Sequence, residues 1–173
     1  KKDLKSFDIE NLGAEFFSYI NHGKNREYFI NSDNISEKYE NFIGYFLHGL
    51  KLKSYEFKKY KTKKEKIFFS INILGNKNKP TALKQLKFKA LEEGTFYARD
   101  LVSEPGNILH PDEYAKRLNS LRNDGLKVNI YNEKKLKKMG MNALLGVGMG
   151  SVRGSYLVTM EWNGAKNNSK PLA

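Results

Sequence analysis

Apolar residues spaced three and four positions apart predict two amphipathic helices in the first third of the chain. The first apolar stripe consists of Ile9, Leu12, Phe16 and Ile20. It predicts a helix from Phe7 to Gly23, with Asp8 as its N-cap and Gly23 in the left-handed conformation that often follows a helix end. The second stripe predicts a helix over residues 36–50.

Alternating apolar and polar residues predict strands in several places. The clearest alternation runs over residues 67–74 and ends at Gly75. Shorter segments of the same kind lie at 26–30, 126–130 and 156–162. We also expect residues 143–150 to form a strand followed by a glycine turn.

A longer apolar pattern predicts a helix of about six turns from Thr81 to Ser103. The face that we expect to be buried consists of Leu83, Leu86, Ala90, Gly94, Tyr97 and Leu101. Pro105 ends this helix, and Pro111 suits the first turn of the next one. Further along, Asn132 is expected to cap a short helix that Gly140 ends. Because strands alternate with helices, the fold class is predicted to be α/β with a largely parallel sheet.

The composition excludes several classes of protein. The chain has 173 residues, of which 39% are hydrophobic, which is enough for a packed core. No apolar run approaches the roughly 18–20 residues of a membrane span, and no secretory signal is visible at the start. The chain has no cysteine, which excludes disulfides, thiolate metal sites and a thiol nucleophile. We expect a cytoplasmic protein with no membrane partner.

The formal net charge of +12 is concentrated in one segment. Residues 51–90 hold 13 lysines and only two acidic residues, Glu56 and Glu65, which accounts for nearly all of it. This segment contains no arginine, the residue that suits bidentate recognition of bases and phosphates. A solvated lysine-rich face is the simpler interpretation, and a surface that binds nucleic acid or another polyanion is the alternative.

The glycine-rich segment 146–151 does not match a cofactor motif. Ser151 stands where a dinucleotide fingerprint needs its third glycine, and no Gly-Lys-Ser/Thr ending follows. We therefore interpret the segment as a tight structural turn. The three histidines, His22, His48 and His110, are too far apart in sequence to form a metal-binding pair.

Four acidic residues lie near one another in sequence: Asp100, Glu104, Asp112 and Glu113. Asp100 and Glu104 have a spacing on one helix face that could hold a cation, although salt bridges explain them more simply. A triad of Ser103, His110 and Asp112 can be assembled on paper, but nothing in the sequence orients it. The residues by themselves contain no convincing active site.

Residues 97–111 carry a longer and more specific pattern. Their sequence is Tyr-Ala-Arg-Asp-Leu-Val-Ser-Glu-Pro-Gly-Asn-Ile-Leu-His-Pro. It resembles the A-R-D-L-V-N-E-P-x-N-x-L-T-P segment of the leucyl aminopeptidase (cytosol aminopeptidase) family. Further matches follow this family's order and spacing at 49–61, 126–128, 133–136, 139–151, 160–164 and 170–173. The departures are Ser103 for the usual Asn, His110 for Thr and Met149 for Gln, which put only local loop geometry in doubt.

The resemblance implies a particular domain organisation. Residues 1–79 would be the end of a small N-terminal α/β (macro-like) domain, and 80–103 a helix between domains. Residues 104–173 would be the first strands and helices of a mixed-sheet catalytic domain. The family's Gly-Lys-Gly-x-x-Phe-Asp and Asn-Thr-Asp-Ala-Glu-Gly-Arg motifs, which carry the metal ligands and the catalytic arginine, are not present. We therefore expect no catalytic, cofactor-binding or metal-binding residue in this chain.

The resemblance also implies an activity for the whole protein. It would be a metallo-exopeptidase that removes N-terminal residues, leucine preferred, from peptide substrates. Two divalent ions, Mn or Zn, would activate a water molecule, and the family forms hexamers. The 173-residue chain alone is expected to be inactive and to hold no metal. The alternative is the polyanion-binding module built on the lysine-rich segment.

Overall fold

A computed structural model describes residues 3–23, 27–62 and 69–164. The chain divides into two compact units, Lys1–Ser103 and Glu104–Ala173. Both units combine helices with a short strand pair, so the fold class is α/β, as predicted. The assignment of 1–79, 80–103 and 104–173 to parts of an enzyme's domains stays a prediction.

The described residues of the first unit form three helices and two strands. They are α1 (Ser6–Asn21), β1 (Glu27–Asn31), α2 (Phe42–Lys53), β2 (Ser70–Leu74) and α3 (Ala82–Ser103), with a 3₁₀ turn at Ser32–Asn34. β1 and β2 pair in parallel, with Ile30 opposite Ile73. The predicted strand is confirmed from Ser70 onward, and its first part, 67–68, lies outside the described residues. The helix predicted over 36–50 begins only at Phe42.

The core of the first unit lies between α1 and α2. Ile9 and Ile20 from α1 are buried against Ile43 and Leu50 from α2. The two helices approach closely because each presents a glycine to the other. A Cβ on Gly13 would overlap the carbonyl oxygen of Phe46, and one on Gly49 would overlap that of Glu10. The absent side chains therefore allow the two backbones to touch.

Both predicted caps of α1 are wrong. Lys5, not Asp8, occupies the N-cap, and its backbone N–H donates to Asp8 Oδ2 at 2.8 Å. Asp8 thus accepts the hydrogen bond of the backbone N–H at the N-cap. It does so from the third residue of the helix, a position from which acidic side chains commonly bond the cap residue. Gly23 does not have a positive φ. It donates to the Ile20 carbonyl instead, so the helix ends without a left-handed residue.

The buried face predicted for α3 is also wrong. No residue of α3 is fully buried, and Leu83 and Leu86 are 77% and 64% exposed. The face that packs on α2 lies on the opposite side of the helix. Phe88 stacks near His48, with ring centroids 5.0 Å apart, and Arg99 Nη1 donates to the Leu52 carbonyl at 2.6 Å. Helical periodicity located an apolar face, but it could not say that this unit leaves that face uncovered.

Asp33 joins β1 to the turn after β2. Its Oδ1 accepts backbone hydrogen bonds from Asn76 at 2.9 Å and Lys77 at 3.0 Å. These bonds, first from Lys77 and then from Asn76, lower the pKa of Asp33 below its ordinary value of 3.8. Gly75, with φ at 81°, gives the turn the left-handed residue that brings these N–H groups to the carboxylate.

We predict that Asp33→Asn changes the acid dependence of stability. Because the pKa of Asp33 is lowered in the folded state, its ionised carboxylate stabilises the fold, and this contribution is complete above pH 3.8. The contribution is lost as the pH falls through the lowered pKa. The stability difference between wild type and variant should therefore shrink on acidification. Urea unfolding from about pH 6 down to about pH 3 measures it. Asp124→Asn is the control, and a difference that stays constant with pH would contradict the prediction.

As far as Gly164, where the described residues end, the second unit has three helices and a strand pair. They are α4 (Pro111–Ser120), β3 (Lys127–Asn132), α5 (Glu133–Lys138), α6 (Asn142–Gly148) and β4 (Tyr156–Glu161), with a 3₁₀ turn at Leu121–Asp124. Its core contains Ala115, Leu118, Val128 and Leu136. Pro111 at the first turn of α4 is confirmed. Asn132, whose side chain accepts from Lys135 N–H at 3.1 Å, and Gly140, with φ at 72°, are confirmed as the ends of α5.

Two predictions fail in this unit. Residues 142–148 form α6 instead of a strand, because a short run of Ala and Leu fits either state and both residues favour helix. β3 and β4 pair antiparallel, with Ile130 opposite Val158, so among the described residues parallel pairing is limited to β1 and β2. The two short helices between these strands return the chain in the opposite direction.

Candidate functional site

The carboxylate of Glu104 is the most deeply buried charged group in the part of the chain that the structure describes. Its side chain is 1% exposed, and Arg117 Nη2 of α4 donates to Glu104 Oε2 at 2.9 Å. The same guanidinium uses Nε to donate to Glu113 Oε1 at 3.0 Å. One arginine thus holds two carboxylates, which anchors the segment before α4 to the helix itself.

The electrostatics follow this geometry. The hydrogen bond from Arg117 holds the pKa of Glu113 below its usual range. The hydrogen bonds to Glu113 and then Glu104 raise the pKa of Arg117 further above its already high value. Both shifts favour the charged forms of Glu113 and Arg117, as expected for two groups that are held together in an ion pair.

His110 and Asp112 meet at the start of α4. His110 Nδ1 lies within hydrogen-bond reach of Asp112 Oδ1, and Arg153 Nη1 lies 3.8 Å from Asp112 Oδ2. Burial raises the pKa of Asp112, but the hydrogen bond from His110 and nearby backbone N–H groups outweigh it, so the net shift is downward. Asp112 is thus a charged partner of His110, at the N-terminal end of a helix where a carboxylate is favoured.

Two members of the triad considered from the sequence contact each other. They are His110 and Asp112 in the second unit, whereas Ser103 belongs to the first unit and lies within reach of Tyr55 there. The two acids that could have shared a cation each have another partner. Asp100 Oδ1 accepts from Tyr55 Oη at 2.8 Å, while Glu104 pairs with Arg117.

His48 is a packing residue. It is 7% exposed, and its Nδ1 lies 2.8 Å from Glu92 Oε1, a pair that links α2 to α3. Within the described ranges, no group of three or more His, Cys, Asp or Glu residues is arranged to hold a metal ion. No helix in these ranges is long and apolar enough to cross a membrane.

Several lysines of the segment 51–90 pair with acidic residues. Lys58 and Lys61 both contact Glu56, at 2.8 Å and 2.5 Å. Lys77 pairs with Glu37 at 2.7 Å, and Lys89 lies 3.8 Å from Glu93. Four of the 13 lysines are thus paired with acidic residues in the described part of the segment. None of the comparisons below supports the polyanion alternative.

The second unit matches a known sequence family. The family described as "Cytosol aminopeptidase family, catalytic domain" matches residues 96–173. This range includes the Arg117-bound Glu104 and both ends of α4. The chain belongs to the cytosol aminopeptidase family. The resemblance predicted from residues 97–111 is thereby confirmed.

Curated relatives support membership in this family beyond residues 96–173. The chain is 42% identical over 135 residues to the "Probable cytosol aminopeptidase" of Chelativorans sp. (strain BNC1). This match covers 72% of the chain and 26% of that protein. The protein of the same name from Phytoplasma australiense is 41% identical over 133 residues, which covers 76% of the chain and 27% of that protein. The chain thus spans about a quarter of the length of these relatives.

Solved structures with the same fold include a leucine aminopeptidase and a bottromycin maturation enzyme. A mutant of tomato leucine aminopeptidase superposes with a TM-score of 0.77 at 20% identity, over 92% of this chain and 34% of that one. The bottromycin maturation enzyme BotP in complex with Mn gives 0.71 at 20% identity, over 91% and 33%. At this identity the likeness establishes the fold alone.

The described residues do not fit the metal centre that the family implies. A pair of divalent ions needs several carboxylates directed at one point. Here the carboxylates of Glu104 and Glu113 are both bound to Arg117, Asp100 is bound to Tyr55, and Asp112 is bound to His110. Each is committed to a structural partner, so no step of a metal-dependent reaction can be assigned to these residues.

Sequence reasoning missed the structural role of Glu104 and Arg117. It treated Glu104 as one of four clustered acids and did not consider Arg117. The two residues are 13 positions apart, which spans a loop and two turns of α4, so neither helical nor strand periodicity connects them. The Ser-Glu-Pro segment was the available signal. An acidic residue before a proline at a helix end has few partners nearby in sequence, which indicates a partner farther along the chain.

Proposed function

We propose that the chain is part of a metal-dependent aminopeptidase that hydrolyses N-terminal residues, leucine preferred, from peptides. The match of residues 96–173 to the catalytic domain of the cytosol aminopeptidase family carries this proposal. The relatives' names and the Mn present in one structural neighbour support it.

The described part of this chain contributes scaffold to that enzyme. The Arg117 guanidinium and Glu104 hold the segment before α4 in place, and His110 with Asp112 holds its first turn. Because these carboxylates are already bound, the two divalent ions, Mn or Zn, would be held by residues outside the described ranges. The whole protein would act on peptides in the cytoplasm as a hexamer, and the chain alone would be inactive.

An activity assay on two proteins tests this proposal. The first is the 173-residue chain, and the second is a chimera in which it replaces the aligned quarter of the Chelativorans relative. With leucine anilide and added Mn²⁺ or Zn²⁺, the chain should show no turnover. The chimera should hydrolyse the substrate, lose activity with a chelator and regain it when metal is restored, and it should prefer leucine to charged N-terminal residues.

Two results would overturn the proposal. Turnover by the 173-residue chain alone would show that it carries its own catalytic centre. A chimera that folds and assembles like the relative, yet does not hydrolyse any aminoacyl anilide, would show that this chain does not serve an aminopeptidase. Circular dichroism and size-exclusion chromatography establish folding and assembly independently of activity.

A further inference from the structure

The segment that follows β4 is exposed. β4 ends at Glu161, and the side chains of Trp162 and Asn163, as well as Gly164, are all exposed. Asn163 is the only asparagine of the chain that is followed by glycine. Asparagine is thermolabile, because the backbone nitrogen of the next residue can attack its side-chain carbonyl carbon and close a five-membered ring. The attack is easiest before glycine, since no Cβ crowds the nitrogen.

The backbone nitrogen of Gly164 is available for this reaction. It donates no hydrogen bond to any residue that the structure describes, and neither does the side-chain amide of Asn163. The antiparallel ladder between β3 and β4 ends at the pair of Lys127 and Glu161. Asn163 and Gly164 therefore lie past the last strand pair, where no ladder hydrogen bond fixes the backbone dihedrals that ring closure must change.

The local packing explains why glycine follows Asn163. A Cβ on Gly164 would overlap Nε1 of Trp162, so the indole lies directly against this residue. The other end of the same ring lies against Gly125, where a Cβ would come within 3.1 Å of Cζ3. The position of the tryptophan thus favours a residue without a side chain at 164, and this is the residue that makes the preceding asparagine reactive.

Asn107 shows what protects an exposed asparagine elsewhere in the chain. It is exposed like Asn163, but the residue that follows it is Ile108. The N–H of Ile108 donates to the carbonyl of Pro105 at 2.9 Å, and a β-branched side chain crowds the nitrogen. Exposure is therefore common to the two asparagines, whereas a free and uncrowded nitrogen is found after Asn163.

We propose that Asn163 is a site of spontaneous deamidation, at which the protein modifies itself with water as the only other reactant. The Gly164 nitrogen loses its proton and bonds to Asn163 Cγ, the Cγ–Nδ2 bond breaks and ammonia leaves. Water then opens the resulting succinimide. Opening at the main-chain carbonyl gives isoaspartate, and opening at the side-chain carbonyl gives aspartate. Either product carries a new negative charge. The proposal goes beyond the aminopeptidase function and does not depend on it.

Incubation of the 173-residue chain at mildly alkaline pH, followed by tryptic peptide mapping, tests the proposal. Digestion at mildly acidic pH prevents deamidation during the analysis. The peptide 154–166 contains Asn163 as its only asparagine or glutamine, so a mass gain of about one dalton in this peptide locates the reaction. Fragmentation at the additional backbone C–C bond identifies isoaspartate. The peptide 100–116, which contains only Asn107, is the internal control and should react at least about 10-fold more slowly.

Variants test the role of the attacking nitrogen. Gly164→Ala should slow the reaction at least about 10-fold, because the new Cβ crowds the nitrogen. Asn163→Gln should stop it on the same timescale, since a glutamine would have to close a larger ring. Gly150→Ala is the matched control: a Cβ there would meet nothing within 4 Å, and the rate at Asn163 should stay within about 2-fold of wild type. Circular dichroism before incubation shows that each variant is folded.

Three results would overturn the proposal. The first is an unchanged peptide 154–166 after a time in which the same peptide, made synthetically, is mostly converted, which would show that the fold protects Asn163. The second is an equal rate in wild type and in a folded Gly164→Ala variant, which would assign the loss of ammonia to direct hydrolysis of the side chain. The third is an equal rate at Asn107, which would show that the free nitrogen after Asn163 does not matter.

Discussion

Gly49→Ala should destabilise the 173-residue chain by about 3 kcal/mol, at the upper end of what overpacking normally costs. The new Cβ would overlap the backbone carbonyl of Glu10 on α1. A carbonyl within a helix cannot rotate away as the end of a side chain can, so α1 and α2 must separate. Their separation would loosen the core around Ile20 and Ile43, which are 1% and 2% exposed. Urea unfolding followed by circular dichroism measures the effect.

Gly94→Ala is the matched control for this experiment. Gly94 also lies inside a helix, α3, but a Cβ there would meet nothing within 4 Å. Since alanine favours the helix over glycine, this variant should be more stable than wild type by roughly 0.5–1 kcal/mol. The same substitution thus has opposite signs at the two sites. A stabilising Gly49→Ala would contradict the close contact between α1 and α2.

Arg117→Met should destabilise the second unit by about 3 kcal/mol, the low end of the range for breaking a buried ion pair. The methionine would keep much of the packing, but the Glu104 carboxylate, 1% exposed, would lose its guanidinium. Burying a charge without its counter-ion is the unfavourable step, and the ion pair itself need not be strongly stabilising. Thermal or urea unfolding, followed by the tyrosine and tryptophan signals, detects the change.

Two further variants isolate the charge effect. Lys116→Met alters the neighbouring residue, whose side chain is 82% exposed and lies 4.0 Å from Glu113, and should change stability by less than about 0.5 kcal/mol. Glu104→Gln combined with Arg117→Met removes both charges, and should be more stable than Arg117→Met alone. If the double variant instead loses as much stability as Glu104→Gln and Arg117→Met lose together as single variants, the buried charge is not the cause of the destabilisation.

Features that depend on neighbours in sequence could be predicted from the sequence. Pro111 begins α4, Asn132 caps α5 and Gly140 ends it. In each case the decisive property belongs to one residue and acts over one turn: a fixed φ, a side-chain acceptor or a tolerated positive φ. The family could be predicted for a different reason, since residues 97–111 hold a long pattern in a fixed order.

Local reasoning failed where one sequence pattern fits two local structures. The run after Met141 was expected to be a strand and is the helix α6. Asp8 was expected to cap α1 and instead accepts from the cap residue, Lys5, within the first turn. Both alternatives satisfy the same apolar or polar pattern, so only the packing around them selects one.

The sequence by itself determined the order of most helices and strands, the ends of α4 and α5, and the family to which the chain belongs. Only the tertiary structure decided that Gly13 and Gly49 bring two helices into backbone contact, that Leu83 and Leu86 face outward, and that Arg117 reaches Glu104. Periodicity reports which face of an element is apolar, because it depends on spacing along one segment. Burial and ion pairing depend on which segments meet, and that is a property of the folded chain.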